Sequence, residues 1–219
     1  MDPVRSPQDA QTIRRLRLGI GVVGIGLPVV LPAGHALVTG RLTLQESISG
    51  YYHTEMRNVF VGSLCAVGVF LLSYRYRRLD DLLSTVAGAL AVVVALFPTT
   101  TDVPAGTLST SDTVVGWVHQ VAAAALFGVL AVFCLHLFPV RDATTPGART
   151  RNRLYRTCGF LILAAIALGL TSALLPEEVR DPLKPLFWCE AAAVLAFGLA
   201  WLVKGEAMFR ERSTAQPGR

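Results

Sequence analysis

Charged residues and cysteines are both scarce in this chain. Of its 219 residues only 16% are Asp, Glu, Lys or Arg, whereas soluble domains usually contain about 25%. The four cysteines all lie within apolar stretches and none forms a CxxC pair, so we expect no disulfide framework. HExxH, GxSxG and GxxxxGK[ST] motifs are also missing. The sequence therefore does not indicate a common type of hydrolase or a phosphate-binding loop.

Long stretches without charge occupy most of the sequence instead. Five contain no Asp, Glu, Lys or Arg, and a sixth contains only Glu190: 18–40, 58–74, 82–101, 113–140, 157–176 and 185–203. A bilayer core about 30 Å thick needs about 20 apolar residues at a rise of 1.5 Å each. The pattern excludes a soluble globular domain, a coiled coil, a disordered chain and an alternating outer-membrane barrel.

The fold class predicted from these stretches is all-α, a polytopic membrane bundle of six transmembrane helices. The predicted spans are about 18–38, 57–74, 82–98, 114–138, 156–175 and 185–203. They form one membrane domain over 14–205, with an N-terminal arm at 1–13 and a C-terminal tail at 206–219. The first stretch also has features of a secretory signal peptide, but it exceeds the usual length of a signal-peptide core, which favours a membrane anchor.

The distribution of basic residues predicts the orientation of this bundle. Sixteen of the 20 Lys and Arg residues fall on the side of the two termini, and the other side has only Arg41, Arg57, Arg180 and Lys184. Because cytoplasmic loops carry the excess of basic residues, we expect both termini to be cytoplasmic. Such residues beside helix ends contact anionic membrane lipids, so the net charge of +5 does not indicate nucleic-acid binding. The ratio of 18 Arg to 2 Lys is associated with GC-rich bacterial genomes, and we expect the protein to lie in a bacterial plasma membrane.

Small residues mark helix faces that can approach one another closely. They occur in the first, fourth and sixth predicted spans: Gly19, Gly21, Gly24, Gly26, Ala122–Ala125 and Ala191–Ala193. Such faces let transmembrane backbones pack by van der Waals contact. We expect packing within one chain, with a homo-oligomer interface as the alternative.

Most of the polar chemistry falls near the predicted outer side. Six polar residues lie in or beside the first outer connection: Glu46, Ser49, His53, Glu55, Arg57 and Asn58. His119 lies about two turns into the fourth span and Glu190 about one turn into the sixth, and ionisable residues inside spans are functional candidates because they are costly there. The sequence therefore predicts an outward-facing polar pocket. If the two helices face each other, His119 can donate a hydrogen bond to Glu190.

The same residues allow a metal site as an alternative. His53 and His119 with Glu190 or Asp102 would make a set of two histidines and one carboxylate, which suits a catalytic zinc. Ser49 and Glu190 are the candidate catalytic residues. The histidines and acids lack a fixed short spacing, so the first interpretation has no cofactor and zinc belongs to the alternative.

The order of several short motifs resembles that of a known bacterial family. These are Ser47-Ile48-Ser49, Asn58–Gly62, Ala95–Thr99 with its Phe-Pro pair, and Trp117-Val118-His119. The chain resembles a family of six-helix membrane proteins of unknown function, which is distantly similar to DRAM-type membrane proteins. The resemblance implies the fold and the membrane location.

A fainter likeness is to the CREST hydrolases, which include alkaline ceramidases and use a Ser, an Asp and three His around zinc on seven helices. Ser49, His53, Asp102 and His119 match parts of that set. The sequence departs from the pattern in having six predicted spans and no HxxxH pair on the last one.

Three hypotheses for function follow. The first is a non-enzymatic membrane protein that senses, organises lipid or passes a solute through the polar pocket. The second is a zinc-dependent hydrolase of a lipid amide or ester. The third is a small proton-coupled transporter or channel in which Glu190 carries the proton.

Overall fold

The computed structural model describes residues 7–74, 78–100, 108–140 and 143–215. These residues form seven α-helices: α1 (Pro7–Thr39), α2 (Arg57–Ser73), α3 (Arg78–Leu96), α4 (Thr110–Val132), α5 (Pro146–Ser172), α6 (Glu177–Leu183) and α7 (Pro185–Ala215). A 3-10 turn at Ser49–His53 precedes α2, and a π-helical turn at Phe133–Leu137 continues α4. The all-α fold class is confirmed.

Five helical segments are long and apolar enough to cross a membrane: Gln11–Thr39, Arg78–Leu96, Thr110–Leu137, Pro146–Ser172 and Pro185–Glu206. The sixth apolar helix, α2, has 17 residues and is therefore about 25 Å long at 1.5 Å per residue. These lengths and compositions indicate a multi-pass membrane protein.

Several helices extend beyond the spans predicted from charge-free stretches. α5 begins at Pro146 rather than near residue 156, because the Thr145 hydroxyl caps it by accepting the Ala148 N–H at 3.2 Å. Proline also suits the first helical position, and arginine is a good helix former. α1 likewise begins within the predicted arm, and α7 continues into the predicted tail. A charged residue ends an apolar stretch but does not end a helix.

The short helix α6 has no counterpart in the sequence prediction. It lies in the connection between α5 and α7 and is polar. Lys184 ends it in the left-handed region at φ 47°, and Pro185 begins α7 directly afterwards. The connection is therefore a compact helical turn over the end of the bundle.

Small residues lie at contacts between the helices. α1 packs against α2 and α7, α3 against α2 and α4, and α5 against α4 and α7. A Cβ atom at Gly88 would lie 2.7 Å from the Gly68 carbonyl oxygen, and one at Gly198 would lie 2.9 Å from the Gly21 carbonyl oxygen. Glycine is thus required where α2 meets α3 and where α1 meets α7. The small face of α1 packs within the chain, and a homo-oligomer stays a prediction.

The two ends of the bundle differ in character. At one end, called the pocket end below, the Ser49–His53 turn and α6 meet the end of α3 and the start of α4 and α7. At the opposite end the buried Arg17 guanidinium bonds to the Tyr74 hydroxyl, and the Lys204 ammonium donates to the Phe138 carbonyl oxygen at 2.7 Å.

Candidate functional site

A cavity of about 770 Å³ lies at the pocket end, between α4, α5, α6 and α7. It follows α4 from Trp117 to Phe127, a length of about 15 Å at 1.5 Å per residue. Trp117 and Leu170 at its edge are 68% and 69% exposed, so the cavity is not enclosed. Its volume falls within the range of small-molecule sites, about 300–1,000 Å³.

The lining is divided into an apolar wall and a polar mouth. Apolar side chains from three long helices line most of it, among them Ala123, Ala124, Phe127, Ala165, Ile166, Leu170, Leu186 and Ala193. The polar and charged lining residues are Glu46, Gln120, Ser172, Glu177, Arg180, Asp181 and Glu190. α6 and the connection before the 3-10 turn supply four of these, so the charged groups gather at the open end.

Glu190 joins the cavity to the first connection of the chain. It is half-buried in the second turn of α7, and its Oε2 accepts the Ser49 backbone N–H at 3.2 Å. The buried Ser47 hydroxyl shapes the turn by accepting the Gly50 N–H at 2.8 Å and lies 3.1 Å from the Ser49 hydroxyl. Ser49 thus begins the turn as a buried residue, and its backbone N–H bonds to Glu190.

Ion pairs hold the charged mouth together. The Lys184 ammonium pairs with the Glu46 carboxylate, which ties the start of α7 to the first connection. Within α6 the Arg180 guanidinium lies 3.6 Å from the Glu177 carboxylate and 3.8 Å from that of Asp181. Glu46 and Glu190 are therefore the two residues of the predicted pocket that line the cavity.

The two histidines predicted for the pocket instead bind the end of α3. His119 is buried, and its Nδ1 donates to the Phe97 carbonyl oxygen at 2.7 Å. His53 is exposed, and its Nε2 donates to the Thr99 carbonyl oxygen at 2.6 Å. Phe97 directly follows α3 and Thr99 lies two residues further on, so both bonds satisfy backbone carbonyls of the segment that leaves the helix. The hydrogen bond expected between His119 and Glu190 is replaced by these separate partners.

A second histidine and carboxylate contact lies beside the first connection. The Nδ1 atom of buried His35 donates to Oε2 of Glu55 at 3.0 Å, and the Thr43 hydroxyl lies 3.3 Å from the His35 Nε2. A hydrogen bond from its own backbone N–H and one from His35 lower the pKa of the exposed Glu55 carboxyl. This pair fastens the end of α1 to the start of α2.

The remaining predicted pocket residues lie on the surface. The Arg57 guanidinium stacks over the Tyr52 ring at 4.3 Å and donates to its hydroxyl at 2.6 Å, and Asn58 is exposed. Neither is part of the cavity lining. Asp102 lies outside the described residues, so its predicted place near the histidines stays a prediction.

Within residues 7–74, 78–100, 108–140 and 143–215, no three His, Cys, Asp or Glu side chains converge as a metal-binding group. His53 and His119 each use one ring nitrogen for a backbone carbonyl. The predicted zinc set also includes Asp102, so zinc stays a prediction.

Sequence reasoning missed the α4 wall of the cavity. Trp117, Gln120, Ala124 and Phe127 are spaced i, i+3, i+7 and i+10, which places them on one face of a helix. Leu186, Glu190 and Ala193 show the corresponding spacing on α7. These periodicities were the available signal, but a periodicity does not show that the two helix faces are separated by a cavity.

No family model, curated protein or solved structure matches this chain.

Proposed function

We propose that the chain spans the bacterial plasma membrane six times with both termini in the cytoplasm. The uneven distribution of Lys and Arg supports this orientation. α2 is somewhat shorter than the hydrocarbon core, but a short span is accommodated by local thinning of the bilayer at modest cost. α2 also pairs with α3 as one arm of an antiparallel hairpin. In this orientation the pocket end faces outwards.

We further propose that the protein binds an amphiphile in the cavity and does so without chemical conversion. The observation that carries this proposal is the cavity's division into an apolar wall within the helices and a charged mouth at their ends. An acyl chain gains free energy by filling the apolar part, and a polar head can remain at the mouth. Sensing of a lipid or lipid organisation are the functions that such binding would serve.

The packing beyond the deep end of the cavity supports the passage of a solute through the bundle less well than it supports binding. Phe133, Phe197 and Trp201 are buried there, one to two turns beyond the deepest lining residues. The Trp201 ring lies 5.0 Å from Phe133 and 4.9 Å from Phe197, measured between centroids. Packed aromatic rings therefore lie between the deep end of the cavity and the opposite end of the bundle, which favours binding over transport.

A filling mutation tests the proposal. Ala124 is exposed on α4 and lines the cavity, whereas its neighbour Ala125 is exposed but outside the lining. The protein is placed in phosphatidylglycerol nanodiscs and incubated with a tritiated dodecyl glycoside, with empty nanodiscs subtracted. We expect saturable binding of about one probe per chain, lost in Ala124→Phe and retained in Ala125→Phe.

Absence of saturable binding to the unmodified protein would overturn the proposal. Equal binding by the two variants would also overturn it, because the probe would then bind elsewhere. Both variants are compared by gel filtration, so loss of fold is recognised separately from loss of the site.

A further inference from the structure

We infer that the cavity selects amphiphiles with a cationic head, such as an amine or a quaternary ammonium group. This inference rests on the proposed function, since it concerns the ligand of the same cavity. It depends on the balance of charge in the mouth, on the depth of Glu190 and on the position of Trp117.

The mouth carries an excess of negative charge. Its lining contains four carboxylates, those of Glu46, Glu177, Asp181 and Glu190, and one guanidinium, that of Arg180. Lys184 adds a second cation through its ion pair with Glu46, and two negative charges remain in excess. A phosphate or sulfate head would meet this excess directly, whereas a cation would neutralise part of it.

Both cations of the mouth are already engaged with carboxylates. Arg180 lies between Glu177 and Asp181 on α6, and Lys184 pairs with Glu46. An anionic head could bind either cation only by displacing one of these carboxylates and leaving it beside the new anion. Like charges placed together are disfavoured, so the existing pairs act against anionic amphiphiles.

Glu190 provides the charge nearest to the apolar wall. It lies five residues after Pro185, about 8 Å along α7, and is half-buried, whereas Glu177 and Asp181 are exposed on α6. Its Oε2 accepts the Ser49 N–H, which is a neutral donor, at 3.2 Å. A charge pair in partly buried surroundings is less screened by water and salt than one at the surface.

Trp117 adds an aromatic surface to the lining of the same cavity. It lines the cavity from α4, as Glu190 does from α7, and its side chain is largely exposed. Tryptophan is the side chain that attracts organic cations most strongly through its π face. A carboxylate and an indole in the lining of one cavity are a combination that suits an alkylammonium head.

The test compares three tritiated probes with the same dodecyl chain: dodecyltrimethylammonium, a dodecyl glycoside and dodecyl phosphate. Binding is measured in phosphatidylglycerol nanodiscs, whose lipid carries no ammonium group, with empty nanodiscs subtracted to remove differences in partitioning. We expect the cationic probe to bind at least tenfold more tightly than the neutral one, and the anionic probe to bind most weakly.

Glu190→Gln identifies the source of this preference. We expect it to reduce the preference for the cationic over the neutral probe about tenfold, which corresponds to about 1.4 kcal/mol. The matched control is Glu178→Gln, since Glu178 is exposed on α6 and outside the lining. It removes the same charge from the protein and should leave all three affinities unchanged.

The outcomes separate the inference from the proposed function. If the neutral probe binds but the cationic probe is not preferred, the inference is overturned and amphiphile binding stands. If Glu190→Gln weakens all three probes equally, Glu190 acts on the shape of the site through Ser49, and the inference is again overturned. If no probe binds saturably, both the inference and the proposed function fail.

Discussion

The close approach of α2 and α3 at Gly88 leads to a quantitative prediction about stability. A Cβ atom at Gly88 on α3 would lie 2.7 Å from the Gly68 carbonyl oxygen and 3.0 Å from the Leu72 backbone nitrogen on α2. Both are backbone atoms and cannot rotate away as a side chain can. Gly88→Ala must therefore move α2 and α3 apart along their length. Gly62 lies on α2 of the same hairpin, and a Cβ atom added there would have no atom of the other described helices within 4 Å.

The expected change follows from two opposing contributions. Replacing glycine by alanine inside a helix gains up to about 1 kcal/mol, and overpacking by one carbon costs about 1–3 kcal/mol. Because the contact at Gly88 is with backbone, we take the upper part of that range. We expect Gly88→Ala to lose about 2 kcal/mol of unfolding free energy and Gly62→Ala to gain up to about 1 kcal/mol.

Unfolding by sodium dodecyl sulfate in mixed micelles measures this difference. Trp201 is fully buried and reports loss of packing through its fluorescence, whereas Trp117 and Trp188 are already exposed. The midpoint should fall for Gly88→Ala and stay level or rise for Gly62→Ala. Equal midpoints for the two variants would refute the argument, because the approach of α2 and α3 would then have room for a methyl group.

Two further predictions concern the loop after α4 and the orientation of the chain. Asn152→Ala should cost about 1–3 kcal/mol, because the buried Asn152 side chain bonds both the N–H of Val140 at 2.9 Å and its carbonyl oxygen at 2.7 Å. In the same unfolding assay the exposed Asn58→Ala should change stability by less than about 0.5 kcal/mol, and an equal loss would contradict the role of Asn152. Epitope tags at either terminus should become accessible only after cells are permeabilised, and a tag accessible in intact cells would contradict the proposed orientation.

The sequence predicted the fold class because a membrane-spanning helix leaves a direct trace in composition. A stretch of about 20 residues without charge has few structural solutions in a bilayer. The ends of the helices leave no such trace. Arg149–Arg156 interrupts the apolar pattern, yet it is helical because backbone hydrogen bonding continues wherever a cap and good helix formers allow it. α6 was missed for the same reason, since a seven-residue polar helix has neither length nor periodicity to identify it.

The candidate site was predicted only in part. The position of a residue along its helix gives its depth in the bundle, but it does not specify the hydrogen-bond partner of the side chain. Glu46 and Glu190 line the cavity, as an argument from ionisable residues near one end would suggest. His119 lies at the expected depth but turns to the Phe97 carbonyl at the end of α3. Rise per residue gives the level of a side chain in the bundle, whereas its direction depends on which helices pack together. That arrangement is decided by contacts distant in sequence.

The cavity itself lies where α4 and α7 make few contacts with each other. α5 packs against α7, and α4 packs against α3 and α5. Small residues such as Ala123, Ala165 and Ala193 line the space that remains. The apolar part of this cavity offers water too few hydrogen-bond partners, and close packing is the normal state of a protein interior. In a bilayer the nearest material that fills such a space is a hydrocarbon chain. The polar end of that chain then lies at the level of Glu190, where the mouth supplies negative charge rather than positive. The packing of the helices therefore supports the tail of the proposed ligand, and the charge at their ends supports its head.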